Sequence, residues 1–225
     1  MNLFLMCGIF FTFVRHNAIM YVQKAETIRM NSEEKLKEFL KNNHGYITTE
    51  DLLNIGIKKS SIHNFTDNNI IEKVSHGLYI DSMNIADEYY ILQKKYPLVV
   101  FSYNTALYIL NLTNRTLDII DITVPRKKAV RGAYNIHWVS DNFYNIGIVD
   151  AVSPLGNPIK IYNAERCICD MLKSNDEFDL ELKNRVLNYY WNSKNKNIDL
   201  LLEYAKIFNI YDKVNTIVEV MMGWN

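Results

Sequence analysis

Between Asn31 and Asn42 the apolar positions are few, Leu36, Phe39 and Leu40, but they fall at i, i+3 and i+4 and make one stripe of a helix. Asn31 or Ser32 can cap it, with Glu33 and Glu34 in the first turn. A second, shorter helix follows Thr48 and Thr49, with Leu52, Leu53 and Ile55 as its apolar side and Gly56 free to take the positive φ of a reversal. Ile57 plugs that turn, and Lys58, Lys59, Ser60 and Ser61 open a third helix in which Ile62 and Phe65 face inward. Ile70, Ile71 and Val74, then Leu78, Tyr79 and Ile80, alternate as two short strands with Ser75, His76 and Gly77 at their tip. Three helices and a β-ribbon make a winged helix, so the stretch from Gly45 to Ile80 is expected to read DNA.

Past Ile80 the pattern changes. Asp81 and Ser82 can cap a connecting helix that Pro97 stops. From residue 97 onward a helical stretch, Tyr103 to Leu110, precedes alternating or apolar runs at Ile119 to Val124, Asn135 to Val139 and Ile146 to Val152. The turn residues from Ser153 to Pro158 predict a hairpin from Ile148 to Tyr162. Helices are then expected over Ala164 to Lys173, Leu180 to Trp191, Ile198 to Phe208 and Val214 to Met222. The fold expected is α+β: an N-terminal winged helix-turn-helix domain over 30–81, a connecting helix over 82–96 and a mixed α+β domain over 97–225.

The first 29 residues fit neither domain. Leu3 to Val14 is nearly all apolar, but its 12 positions fall short of the roughly 20 that span a bilayer, and no positive residue precedes it. Met20 and Met30 are alternative starts, so 1–29 reads as an apolar extension from a mis-assigned start.

Charge narrows the DNA reading. The chain has 25 basic and 25 acidic residues, so bulk charge names no partner. Between Met30 and Asp81, six lysines stand against eight carboxylates, opposite to the basic balance usual in DNA-binding domains. Any phosphate contact must therefore be focused, with Lys58 and Lys59 at the recognition helix and Lys73 and His76 on the wing. A further cluster, Arg126, Lys127, Lys128 and Arg131, ends the strand IDITV and is either a solvated turn or an anion contact.

Catalytic chemistry is sparse. There is no glycine-rich phosphate loop, no His-x-x-x-His or paired C-x-x-C metal spacing and no Gly-x-Ser-x-Gly elbow. Cys167 and Cys169 read as small packing residues, and the uneven count of three cysteines suits a reducing cytoplasm. Asp118 and Asp121 lack the spacing of a two-metal transferase and read as solvent-facing carboxylates. The expectation is a cytoplasmic protein that is not an enzyme, has no metal or cofactor and has no membrane partner.

From Met30 onward the chain resembles the AbiEi antitoxins of bacterial type IV toxin–antitoxin systems, which act in abortive infection. The resemblance is carried by GIKKSSIHNF and VSHGLYI, by DEYYILQKKYP, FSYNTALYILNLTNRT and ITVPRKK, and above all by GNPIKIYNAERCICDML followed by LLEYAKIF. It implies an autoregulating repressor whose winged helix binds promoter DNA, typically at inverted repeats. Its C-terminal domain would counteract a nucleotidyltransferase-like toxin without a stable complex. Carried onto this chain, the DNA contacts are Lys58, Lys59, Ser60, Ser61, His63 and Asn64 in the helix and Lys73, Ser75 and His76 in the wing. Arg126, Lys127, Lys128 and Arg131 would add phosphate contacts. Glu165, Arg166 and Asp170 match the C-terminal motif, and the i, i+4 spacing of the last two also suits a structural pair. Family members usually carry more arginine in the helix and wing than the Lys58, Lys59, Ser75 and His76 found here. The other open reading is a stand-alone transcriptional regulator whose C-terminal domain senses a ligand or protein.

Overall fold

The computed structural model describes residues 31–115, 117–174 and 178–223, so the apolar extension expected over 1–29 lies outside the described residues. Contacts divide the chain into two compact units, with the division between Ala86 and Asp87.

The first unit opens with helix α1 (Ser32–Asn42), capped by Asn31, which accepts from the Glu33 and Glu34 amides while the Glu34 carboxylate accepts from the Asn31 amide. Strand β1 (Tyr46–Thr48) follows, then α2 (Thr49–Asn54), α3 (Ser61–Asp67), β2 (Ile71–Ser75) and β3 (Leu78–Asp81). The three strands form an antiparallel sheet in the order β1-β3-β2. Strand β1 is not visible in the hydrophobic pattern because three residues are too few to show a period. Leu36, Leu40, Ile47, Leu52, Ile57, Ile62, Phe65 and Ile71 make one buried core. Leu53, expected on the apolar side of α2, instead stands half exposed, because Leu52 and Ile57 already fill the turn.

In the second unit, helix α4 (Glu88–Lys95) leads into β4 (Val100–Phe101), α5 (Tyr103–Ile109), β5 (Ile120–Pro125), β6 (Tyr134–Val139), α6 (Asp141–Tyr144), β7 (Ile148–Val152) and β8 (Pro158–Tyr162). Four helices follow: α7 (Ala164–Lys173), α8 (Leu180–Asn192), α9 (Ile198–Ile207) and α10 (Tyr211–Gly223). The sheet runs β6-β5-β4-β8-β7, with β7 antiparallel to β8 as the hairpin pattern predicts. The central strand β4 pairs antiparallel with β5 and parallel with β8. It is two residues long, which hides it from any periodicity argument.

Helix α4 differs from the expected connector. It begins at Glu88, six residues past Ser82, and its cap is Asp87. The Gln93 amide works like a strand neighbour, donating to the Lys160 carbonyl at 2.7 Å and accepting from the Lys160 amide at 2.8 Å, which fixes α4 to β8 within the second unit. Asp87 is buried. One carboxylate oxygen accepts from the Tyr89 and Tyr90 amides, and the other accepts from Ser153 Oγ and, at 2.7 Å, from Asn157 Nδ2 in the β7–β8 turn. One side chain thus caps a helix and pins a hairpin. Asp87→Ala is expected to lower unfolding free energy by about 3 kcal/mol, the loss of a cap plus two stranded buried donors, measurable by urea denaturation.

The core of this unit gathers Phe101, Leu107, Ile122, Ile161, Ile168, Met171, Val186 and Leu201 between the sheet and helices α7 to α10. No helix among the described residues is long and apolar enough to cross a membrane.

Candidate nucleic-acid interface

Local chemistry shapes the helix-turn-helix. Thr48 caps α2 by accepting from the Asp51 amide at 3.1 Å, while the Asp51 carboxylate accepts from the Thr48 amide at 2.9 Å, a reciprocal capping box. Gly56 takes φ +82°, a left-handed conformation that a side chain would strain, and the chain reverses there. The Thr49 amide donates to the Gly77 carbonyl at 2.8 Å, so the start of α2 is tied to the wing tip.

The recognition segment differs in detail from expectation. Lys58, Lys59 and Ser60 form the turn before α3, where the Ser61 amide donates to the Lys58 carbonyl, and the helix proper starts at Ser61. Ile62 and Phe65 point inward, as the i, i+3 spacing requires, which leaves His63, Asn64 and Asp67 outward. Lys58, Lys59 and Ser60 are exposed and Ser61 is half-buried. The wing is tight: β2 and β3 are joined by His76 and Gly77, with a bulge between Lys73 and Ser75. Lys73 and His76 are exposed, whereas Ser75 is half-buried at the strand end.

An open groove of about 720 Å³ runs between α3 and the ribbon. Lys59, His63 and Thr66 line one wall and Glu72, Lys73 and Tyr79 the other. The pattern along the chain had no means of finding Glu72 and Tyr79 as groove residues, because their place depends on how the ribbon folds back on α3. Several other charges are engaged in pairs: Lys37 with Glu33 at 2.6 Å, Lys160 with Asp150 at 2.9 Å, Arg115 with Asp179 at 2.8 Å and Arg185 with Glu181 at 2.5 Å. Among the described residues, Lys58, Lys59 and Lys73 have no such carboxylate partner. Cations held out of ion pairs on one face are available to phosphate.

The same holds for Arg126, Lys127, Lys128 and Arg131 in the second unit. All four are exposed on the loop after β5 and have no acidic partner among the described residues. The loop is ordered by its backbone: the Arg126 amide donates to the Val139 carbonyl at 2.9 Å and the Arg131 amide to Tyr96 Oη at 3.2 Å. Trp138, 57 % exposed, donates its indole N–H to the Lys128 carbonyl at 3.2 Å, a further tie on the loop.

Glu165, Arg166 and Asp170 are all buried on α7, which makes them structural rather than surface groups. Arg166, 2 % exposed, gives its Nε–H to Asp170 at 2.8 Å and one terminal nitrogen to the Phe143 and Ile146 carbonyls at 2.7 and 3.0 Å. Its guanidinium lies between the Tyr162 and Phe208 rings, 4.3 and 4.4 Å from their centroids. Burial lifts the Asp170 carboxyl above the ordinary carboxylate range, against the opposing pull of Arg166. Glu165 accepts from Tyr190 Oη at 2.9 Å and from the Asn197 amide at 3.1 Å, joining α7 to α8 and the start of α9. Cys167 and Cys169 are buried beside them, and burial pushes the Cys169 thiol up to about 12, out of reach of nucleophilic chemistry.

One acidic residue needs correction. Asp121, read as solvent-facing, is 3 % exposed and accepts from His137 Nε2 at 3.0 Å, with Tyr103 stacked on the imidazole at 3.6 Å. Asp121 and His137 lie on adjacent parallel strands, two positions out of register, and nothing in a single sequence says that these strands pair. Asp118 is exposed, as expected. No group of three or more metal-ligating side chains occurs among the described residues.

Comparison with known families falls on this winged helix: residues 34–80 match the model described as "Transcriptional regulator, AbiEi antitoxin". This winged helix is similar to that of the AbiEi family. The match starts inside α1 and ends on β3, so it encloses the capping box, the turn lysines, α3 and the wing. The match concerns this segment and supports a transcriptional-regulator or antitoxin role only as far as the segment goes. Its second unit, including the GNPIKIYNAERCICDML block, lies outside the matched residues. No curated protein matches the chain. Among solved structures it is similar to the RV2827C protein from Mycobacterium tuberculosis, at 12% identity and a TM-score of 0.52, over 79% of this chain and 72% of that one. At that identity the likeness speaks for the fold alone.

Proposed function

We propose that the chain is the antitoxin of a type IV toxin–antitoxin system, cytoplasmic, that represses its own operon and counteracts a nucleotidyltransferase-like toxin. The observation that carries the DNA half is the face of a winged helix, similar to that of the AbiEi family, on which every lysine is exposed and free of carboxylate partners. Lys58 and Lys59 contact phosphate at the start of α3, His63 and Asn64 reach base edges, and Ser60 and Ser61 hydrogen-bond the backbone. Lys73, Ser75 and His76 contact the flanking strand from the wing. Arg126, Lys127, Lys128 and Arg131 add a second phosphate-contacting patch. The DNA is promoter duplex, with two copies on inverted repeats.

The antitoxin half rests on the C-terminal resemblance, read together with a unit built for packing. Arg166, Glu165 and Asp170 are buried and hold α7 in place. In this reading the toxin is counteracted without chemistry by this chain on it and without a lasting complex.

One observation favours a second reading, a regulator that senses a small molecule. A cavity of about 370 Å³ in the second unit is lined by polar side chains including Asn104, Arg115, Asp121 and Asn135. Co-expression of the full chain with the product of the adjacent nucleotidyltransferase-like gene separates the two. Growth rescue is the expected outcome, together with repression of a reporter placed behind the upstream region. Repression without rescue would favour the sensor.

A further inference from the structure

We infer that the loop between β5 and β6, together with Trp138, is a site for single-stranded RNA: a base stacks on the indole while the loop cations hold the phosphates. The inference rests on one part of the function proposed above, that Arg126, Lys127, Lys128 and Arg131 contact phosphate, and not on the winged helix.

The strands set the geometry. β5 and β6 are parallel and in register from Ile120 and Tyr134 to Pro125 and Val139, so the chain between them must return the whole length of the strand. Residues 126–133 do so along the face of β6 that carries Tyr134 and Trp138. At one end the Arg126 amide donates to the Val139 carbonyl, and next to it the Trp138 indole donates to the Lys128 carbonyl. At the other end Gly132 lies against the Tyr134 ring, where a Cβ would come 2.3 Å from Cε2. The cations are therefore spread along the length of β6, roughly 17 Å, and β6 is an edge strand of its sheet.

Charge on this ridge is positive. Lys95 joins it from α4, its Nζ 5.2 Å from the centre of the Tyr96 ring, whose Oη accepts from the Arg131 amide. The carboxylates nearest in sequence are Asp121, buried against His137, and the exposed Asp141 at the start of α6. The Lys128 amide donates to the Pro125 carbonyl and closes a turn in which Lys127 takes φ +68°. Glycine suits that position better, so a lysine there keeps a cation at the turn at a cost in backbone strain.

Trp138 decides what kind of strand fits. Cations alone serve a duplex as well as a single strand, but the bases of a duplex are stacked on one another, whereas unpaired bases stack on aromatic rings. The Trp138 N–H is spent on the Lys128 carbonyl, which fixes the ring at the loop, and more than half of the residue remains exposed. RNA is the form in which a cell presents unpaired strands in quantity.

Titrating the full chain with a short oligouridylate, and with an RNA duplex of equal length, tests this by tryptophan emission and by affinity. The single strand should bind more tightly than the duplex and quench the emission. Trp138→Phe should remove the quenching and keep most of the affinity, while Trp138→Ala should weaken binding about tenfold, the contribution of one stacked base. Lys127→Ala with Lys128→Ala, both at exposed positions, should make the slope of log affinity against log salt shallower by about 1.4, or about 0.7 for each phosphate contact on a single strand. Lys58→Ala with Lys59→Ala should leave RNA binding as it was.

Binding without quenching overturns the inference, as does a duplex that binds as tightly as the single strand. So does an affinity that both Trp138→Ala and the Lys127, Lys128 variant leave unchanged, or one lost with Lys58 and Lys59. Polyglutamate binding as tightly as the oligouridylate would make the ridge a site for an acidic protein segment and overturn it too. If no RNA binds but the Lys127, Lys128 variant still weakens binding of the upstream DNA duplex, the inference falls and the phosphate reading stands. If that variant binds both nucleic acids as the unmodified chain does, both fall.

Discussion

Replacing Lys58 and Lys59 together by alanine is expected to weaken binding of the upstream duplex about a hundredfold, and the chain should keep its fold. Both side chains project from the turn before α3, are exposed, and make no ion pair among the described residues, so removing them strands no buried partner. A hydrogen bond to a charged group contributes about 1.5 kcal/mol or more, and two such losses multiply to roughly that factor. The dependence on salt discriminates further. Each lost phosphate contact takes about 0.9 from the slope of log affinity against log salt, so the double variant should show a slope shallower by about two. Mobility shifts at three salt concentrations measure both quantities, and rescue from the toxin in co-expression should be unchanged.

Arg166→Ala is expected to have the largest effect on stability, about 3–5 kcal/mol. The substitution leaves Asp170 as a buried, unbalanced carboxylate, frees the Phe143 and Ile146 carbonyls of their donor, and opens a space between the Tyr162 and Phe208 rings. Gly147 packs against the same side chain, where a Cβ would come 2.7 Å from Arg166 Cβ, so the neighbourhood is built around the arginine. A buried pair of this kind contributes less as a net attraction than its loss costs when only one partner is removed. Arg166→Met with Asp170→Leu should therefore destabilise by less than the sum of the single changes, a difference that thermal denaturation of the four proteins resolves. Arg166→Ala alone should lower the midpoint by about 10 °C or more.

Much of the fold could be read along the chain where elements are long enough to show a period. The stripe Leu36, Phe39 and Leu40 fixes α1, and the cap residues Asn31 and Thr48 mark true helix starts. The β7–β8 hairpin follows from Pro154, Gly156 and Pro158 between two apolar runs. Strands β1 and β4 escaped because three and two residues carry no alternation, and β4 holds the centre of its sheet only through the partners that flank it. Asp81 and Ser82 looked like a helix cap on local chemistry, but Asp87 takes that role because its carboxylate also satisfies Ser153 and Asn157, some seventy residues away.

The interface was legible in the same uneven way. The exposed lysines and the outward His63 and Asn64 follow from helical spacing. The groove walls from β2 and β3, the Asp121–His137 pair and the indole of Trp138 beside the basic loop depend on strand pairing, which no local pattern encodes.

Whether Gly45 to Ile80 reads DNA is settled most directly by titrating the full chain into fluorescent duplexes, one covering the region upstream of its own coding sequence and one with the same bases shuffled. The upstream duplex should bind at least a thousandfold more tightly at physiological salt, the lower edge of the range for specific recognition, with an affinity that falls steeply as salt is raised. Equal affinity for the two duplexes, or no salt-dependent binding to either, would contradict the assignment of the winged helix as a reader of promoter DNA.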